Sequence, residues 1–243
     1  MRTDCLLRFG VLIFIFLLSC QKESNILPVN ARLKQVLLYN LLTSTEPIDT
    51  IEEYEYNESG QISKMSTPVD YYLYVYNSSG QLLKITNYYS NTNAPTGFII
   101  LKIYTYSYSN DGRKEKEFIE YPQINNTEYS LYYYAVGRLT KIEKYDTSNK
   151  LKEYLQYEHD GSGQPVKEIM FSGNNIPFQW TINSFSNGLM IKSETYRDEA
   201  RELKVREIKR TYDENKNLKI LESIEGPNSS LISHVLRYKY VGE

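Results

Sequence analysis

The sequence predicts an all-β protein, an antiparallel meander of about 16 strands built from repeated β-hairpins. Three observations carry this. Runs of alternating residues flank short turns of one type, as in Tyr74-Val75-Tyr76-Asn77-Ser78-Ser79-Gly80-Gln81-Leu82-Leu83-Lys84-Ile85. The unit recurs, with glycines at 60, 80, 112, 137, 163 and 188 spaced 20, 32, 25, 26 and 25 residues apart. The chain holds 24 tyrosines, many at period two just before a turn.

The turn has a mechanism. Asn57, Asn77 and Asp213 each follow the last Tyr of a run. An Asx side chain there bonds backbone groups ahead of it and starts the turn. Gly60, Gly80 and Gly112 stand four residues after a Tyr, where positive φ is expected. The copies are Tyr56-Asn57-Glu58-Ser59-Gly60-Gln61-Ile62, the same pattern from Tyr76, and Tyr108-Ser109-Asn110-Asp111-Gly112-Arg113. Tyr134-Ala135-Val136-Gly137-Arg138-Leu139 is shorter, and Tyr157 to Pro165 is longer. Phe185-Ser186-Asn187-Gly188-Leu189 is degenerate, and Tyr212-Asp213-Glu214-Asn215-Lys216-Asn217-Leu218 puts Lys216 in the glycine position.

The recurring Tyr-Asp/Asn-x-x-Gly-Arg/Gln-Leu pattern resembles the YD repeat of RHS and teneurin-type proteins, from about Arg32 to the end. The resemblance implies β-hairpins winding into one large sheet. The chain is far too short to close the large shell of that family, so an enclosing role is not carried over.

From its start, the chain reads as an export signal over residues 1–19. Arg2 and Arg8 form a basic region, and residues 9–18 form an apolar run too short to span a bilayer as a helix. Leu17-Leu18-Ser19-Cys20 resembles a bacterial lipobox, with Cys20 as the lipidation site. Leu18 departs from the smaller residue usual there. On this reading Cys5 leaves with the signal, Cys20 is acylated, and no disulfide forms. Losing Arg2, Arg8 and Asp4 from 28 basic and 30 acidic side chains leaves 26 and 29, no footprint for nucleic acid. The expected partner is the membrane, through the lipid on Cys20, with residues 20–31 as a tether and a Gram-negative outer membrane as the address.

Residues 32–243 form the repeat domain. Arg32-Leu33-Lys34-Gln35-Val36 reads as the second half of a unit, and Tyr238-Lys239-Tyr240 as the first half. Seven hairpins and two terminal strands make the expected sixteen. Those terminal strands suit closure into a barrel-like array. An open, curved meander fits the sequence at least as well.

Tyr72, Tyr74 and Tyr76 share one face, as do Tyr104, Tyr106 and Tyr108. Charged residues alternate with several such runs, so the Tyr face is expected to be the covered one. Leu82 and Ile85 are three apart, so they fall on opposite faces unless a bulge intervenes. Residues 198–210 have a helical composition, but repeat phase makes the approach to Tyr212 a strand. Charges at Glu115-Lys116-Glu117 and over 206–210 occupy both strand faces, which argues against a membrane-spanning barrel.

No metal-ligand spacing, nucleophile elbow, phosphate loop or dinucleotide fingerprint occurs, so no cofactor and no enzyme activity are expected. His159 lies in a turn and His234 opens the final strand. The candidate binding residues are Trp180, which follows Pro177-Phe178-Gln179, and the ladder Tyr72, Tyr74, Tyr104 and Tyr106. Exposed, they would stack on a sugar or protein ligand. Covered, they are core aromatics that stabilise the sheet. The connections between units are the other candidate binding surface, since variable loops on a rigid array carry recognition. The function expected is a binding or scaffolding envelope lipoprotein, with passive structure or glycan hydrolysis as alternatives.

Overall fold

The computed structural model describes residues 32–39, 47, 49–226 and 234–241. The signal segment, Cys20 and the tether lie outside them. Sixteen strands occur among the described residues. They are β1 (Leu33–Tyr39), β2 (Asp49–Tyr56), β3 (Ile62–Ser66), β4 (Asp70–Tyr76), β5 (Leu82–Ser90) and β6 (Phe98–Tyr108). Next come β7 (Lys114–Tyr121), β8 (Asn126–Ala135), β9 (Arg138–Tyr145), β10 (Leu151–His159) and β11 (Pro165–Ser172). The chain continues with β12 (Pro177–Ser186), β13 (Leu189–Tyr196), β14 (Lys204–Tyr212), β15 (Leu218–Glu225) and β16 (His234–Tyr240). All neighbours pair antiparallel in chain order, and β1 pairs β16 to close a barrel.

Each hairpin turn is built as its residues dictate. The Gly60 amide donates to Asn57 O (2.9 Å) and the Asn57 amide to Gln61 O (2.8 Å). The Gln61 amide donates to Asn57 Oδ1 (2.9 Å). This is a tight turn followed by one left-handed residue, with Gly60 at φ 78. Lys216 adopts φ 66 at the equivalent place, without glycine's freedom. The opposite rim reuses the design. Asn149 at φ 61 closes residues 146–150, and the Lys150 amide donates to Asp146 Oδ1 (3.0 Å). Some inter-unit connections are thus the same turn with Asn for Gly, and not a separate variable class.

A bulge follows every one of the seven turns. Val75 pairs with Lys84 but Tyr76 with Leu82, so Leu83 is left over. Leu82 and Ile85 therefore both join the Tyr face. The repeat at Tyr133/Lys141 and Tyr134/Leu139 does the same for Leu139 and Ile142. This resolves the broken alternation of the returning strands.

The motif residues also join neighbouring units. The last Tyr of a unit donates its hydroxyl to the first carbonyl of the preceding returning strand. Tyr76 reaches Ile62 O (3.0 Å), Tyr108 reaches Leu82 O (2.7 Å) and Tyr134 reaches Lys114 O (3.0 Å). Tyr240 repeats this at Leu218 O, and Tyr212 reaches Met190 O, the second residue of β13, each at 2.8 Å. The residue after the glycine bonds the next turn, as Gln61 Nε2 does to Gly80 O (2.9 Å).

Closure follows the same rule. Leu33 pairs with Tyr240 and Val36 with Tyr238, a half-unit at each end completing one hairpin-like pair. Tyr56 of β2 donates to Leu33 O (2.6 Å) across β1. Residues 204–212 are strand, while 198–203 turn around Asp198, whose carboxylate accepts from the Glu202 and Leu203 amides. Helical composition loses there to sheet pairing on both sides.

The Tyr face turns inward. On β4, Tyr72 is 7% exposed while Leu73 and Val75 are 37% and 49% exposed. Met65, Tyr72, Ile85, Tyr104 and Tyr106 form one interior cluster, flanked by Tyr54, Tyr74, Leu82, Tyr108 and Ile119.

Candidate binding groove on the barrel rim

The predicted ladder is placed inside. Tyr72, Tyr104 and Tyr106 are 7%, 5% and 4% exposed, and Tyr74 packs against their cluster. Burial pushes all four phenols above their ordinary value. None offers an open ring to a ligand, so the ladder serves as core and not as a stacking platform. Trp180 lies on the other face. Register links Tyr133, Lys141, Gln156, Ile169, Trp180 and Tyr196 across successive strands. Tyr133 is exposed, so this row faces outward, yet Trp180 is itself covered at 7% exposure. The five candidates are therefore not brought together.

Three covered or half-covered carboxyls face the interior on non-adjacent strands. Glu52 of β2 accepts from the Tyr54 hydroxyl, and Glu117 of β7 lies 3.8 Å from Lys114 Nζ. Glu168 of β11 accepts from Asn183 Nδ2 (2.8 Å). Burial raises the pKa of each. Each has its own partner, so they do not form the paired acids of a glycosidase.

The open site is on the outer face, at the rim opposite the Tyr-Asx turns. A depression of about 550 Å³ lies between the β3–β4 connection and the start of β6. The connection is braced locally. The Thr67 amide donates to Asp70 O (2.7 Å), the Asp70 amide to Thr67 Oγ1 (3.1 Å), and Thr67 Oγ1 to the Asp70 carboxylate. The Ser90 amide donates to Val69 O (2.9 Å), tying β5 to this wall.

The floor is aromatic. Tyr71 and Tyr88 are cross-strand partners, stacked at 4.7 Å and 9°. Phe98 meets Tyr71 edge-on at 5.1 Å and 74°. Phe98 is 39% and Val69 40% exposed. Lys64 Nζ lies 5.8 Å over the Tyr71 ring and pairs with Glu55 Oε1 (2.8 Å). Ser66, Pro68 and Ser90 complete the lining, while Tyr88 backs Tyr71 without lining the depression.

Sequence reasoning pointed to the loops but missed Tyr71, Tyr88 and Phe98. The signal was the doublets Tyr71-Tyr72 and Tyr88-Tyr89, since adjacent strand residues face opposite sides.

Elsewhere some outer aromatics are roofed by cations, while Tyr133 and Phe178 are as exposed as Phe98. Lys116 lies 4.5 Å over Tyr129, and Lys141 lies 4.4 Å over Tyr154, which stacks on Phe171 at 4.6 Å. The outer face of β13 and β14 is charged, with Lys192–Glu194 at 2.9 Å and Lys209–Glu207 at 3.2 Å.

No protein-family model matches the chain, and no curated protein matches it. Among solved structures it is similar to a porin-like protein from Bacteroides vulgatus. That match has TM-score 0.52 and 12% identity, covering 87% of this chain and 99% of that one. A porin-like protein from Bacteroides uniformis aligns at TM-score 0.39 and 10% identity, over 90% and 100% of the two chains. At 12% identity the likeness to the Bacteroides vulgatus protein is one of fold alone.

Proposed function

We propose that the chain is a lipid-anchored envelope protein of a Gram-negative bacterium, a YD-type repeat barrel that binds its ligand on the rim away from the anchor. The observation that carries this reading is the loop-walled groove, where the exposed Phe98 ring and the half-buried Tyr71 lie beside polar groups.

The lipobox at Cys20 supports the anchor. Arg32, where the described chain begins, lies against Gly60 at the Tyr-Asx rim. A tether arriving there leaves the opposite rim, with its groove, pointing away from the membrane. Outward ion pairs on β13 and β14 suit water and not a hydrocarbon band, so the barrel rides on the membrane surface. The separated interior acids support binding over hydrolysis.

The experiment is metabolic labelling with an alkynyl palmitate in a Gram-negative host, followed by envelope fractionation. The wild-type chain takes the label and stays with the outer membrane. Cys20→Ser loses the label and leaves the membrane fraction. Equal labelling of both chains would sink the anchor.

A further inference from the structure

We propose that the rim groove is a carbohydrate site for an uncharged oligosaccharide, with Phe98 and Tyr71 as the ring platform. The inference rests on the binding reading above and names its ligand class.

The lining sets the chemistry. Phe98 and Val69 are exposed apolar surface, and Tyr71 is held in place by Tyr88. The C–H faces of a sugar ring pack on such surfaces, while its hydroxyls need donors and acceptors around the edge. Ser66, Thr67, Asp70 and Ser90 supply them. Lys64 is already paired with Glu55, so no free cation calls for an anionic ligand. Asp70 would repel one.

Size and topology exclude the alternatives. A depression of about 550 Å³ falls within the roughly 300–1,000 Å³ of small-ligand sites. A stable protein partner covers about 800 Å² on each side, more than a depression between two loops presents. The closed sheet has no free edge among the described strands, so a peptide cannot add as a strand.

The test is calorimetric titration of the full chain, purified in detergent, with maltohexaose, cellohexaose, xylohexaose, mannohexaose and an oligogalacturonate. At least one neutral hexasaccharide binds with Kd at or below ~1 mM, and the acidic one does not. Phe98→Ala and Tyr71→Leu each weaken that binding by about tenfold or more. Tyr129→Phe, on the outer face elsewhere, leaves it unchanged. Phe98→Ala removes a part-exposed ring and keeps the wild-type unfolding midpoint, so it decides the matter even if Tyr71→Leu unfolds. Absence of binding to every neutral probe, or binding that survives Phe98→Ala, overturns the proposal. If no sugar binds but Phe98→Ala abolishes capture of an envelope component, the ligand class falls while the binding role stands. Loss of the Cys20 anchor bears on the envelope address alone.

Discussion

The interiors of β2–β7 and β11–β15 come from the same repeat and differ in apolar content. The first packs Met65, Tyr72, Ile85, Tyr104 and Tyr106 together and also buries Glu52, Asn87, Lys114 and Glu117. The second buries Asn183, Ser193, Arg210 and Ser223, with Glu168 half-buried among them. There Asn183 Nδ2 bridges Glu168 and Pro165 O, at 2.8 and 2.9 Å, and Arg210 Nη1 donates to Ser193 Oγ (3.0 Å). Turns, bulges and tyrosine staples are shared by the two regions. The motif therefore governs backbone and register, while the interior positions between motif residues are free to be apolar or polar. The first half adds burial of rings to its polar groups, and the second relies on hydrogen bonds such as those of Asn183 and Arg210.

The contrast can be broken most strongly in the aromatic half. Tyr104→Ala is expected to cost about 3–5 kcal/mol, the range for deleting a buried aromatic ring, read as a lower urea midpoint at unchanged slope.

In the polar half, Asn183→Ala leaves the Glu168 carboxyl without its donor and costs about 1–3 kcal/mol. Asn183→Leu combined with Glu168→Met makes this region resemble the other and is expected to be nearly neutral. A double variant as unstable as the sum of its parts would show that the two interiors are not interchangeable.

Glu52 tests the aromatic half by pH. It faces Tyr54 on its own strand, with Tyr74 and Tyr238 nearby. Burial pushes its carboxyl up to about 6, above the ordinary 4.5. The folded state thus binds this proton more tightly than the unfolded state. The contribution is fully present below about pH 4.5 and is lost as pH rises through about 6, some ~2 kcal/mol in all. Urea midpoints across that window fall for the wild type, and Glu52→Gln removes this part of the fall.

The smallest effect concerns what the two regions share. Tyr108→Phe deletes the staple to Leu82 O and costs about 1 kcal/mol. The β12 unit already carries Phe185 at that place, so Phe185→Leu leaves no donor unmade and shows only a packing loss.

Much of the fold was legible because it is local. Asx-led turns, glycine positions and tyrosine periodicity specify hairpins within a few residues, and the half-units at Arg32 and Tyr240 specify sixteen strands. The bulges were only suspected. A leftover residue such as Leu83 is defined by its partner strand, and no single strand reveals it.

The groove was less legible. The sequence marks the loops as binding surface and leaves the inward tyrosines either core or ligand platform. Tyr72 and Tyr104 look like Tyr71 and Tyr88 in sequence, and only strand phase separates them. Roofing by Lys116 and Lys141 depends on rotamers reaching across strands, which no local pattern encodes.

By itself, then, the order of residues determined the hairpin, its repetition, and the face on which most tyrosines lie. Only the tertiary structure decided that β1 meets β16, that the tyrosine face is enclosed, and which outer aromatics stay open. The physical reason is range. A turn is chosen by the dihedral and hydrogen-bond preferences of a handful of neighbours. Closure and exposure depend on curvature summed over sixteen strands, and on what the far end of the chain brings alongside.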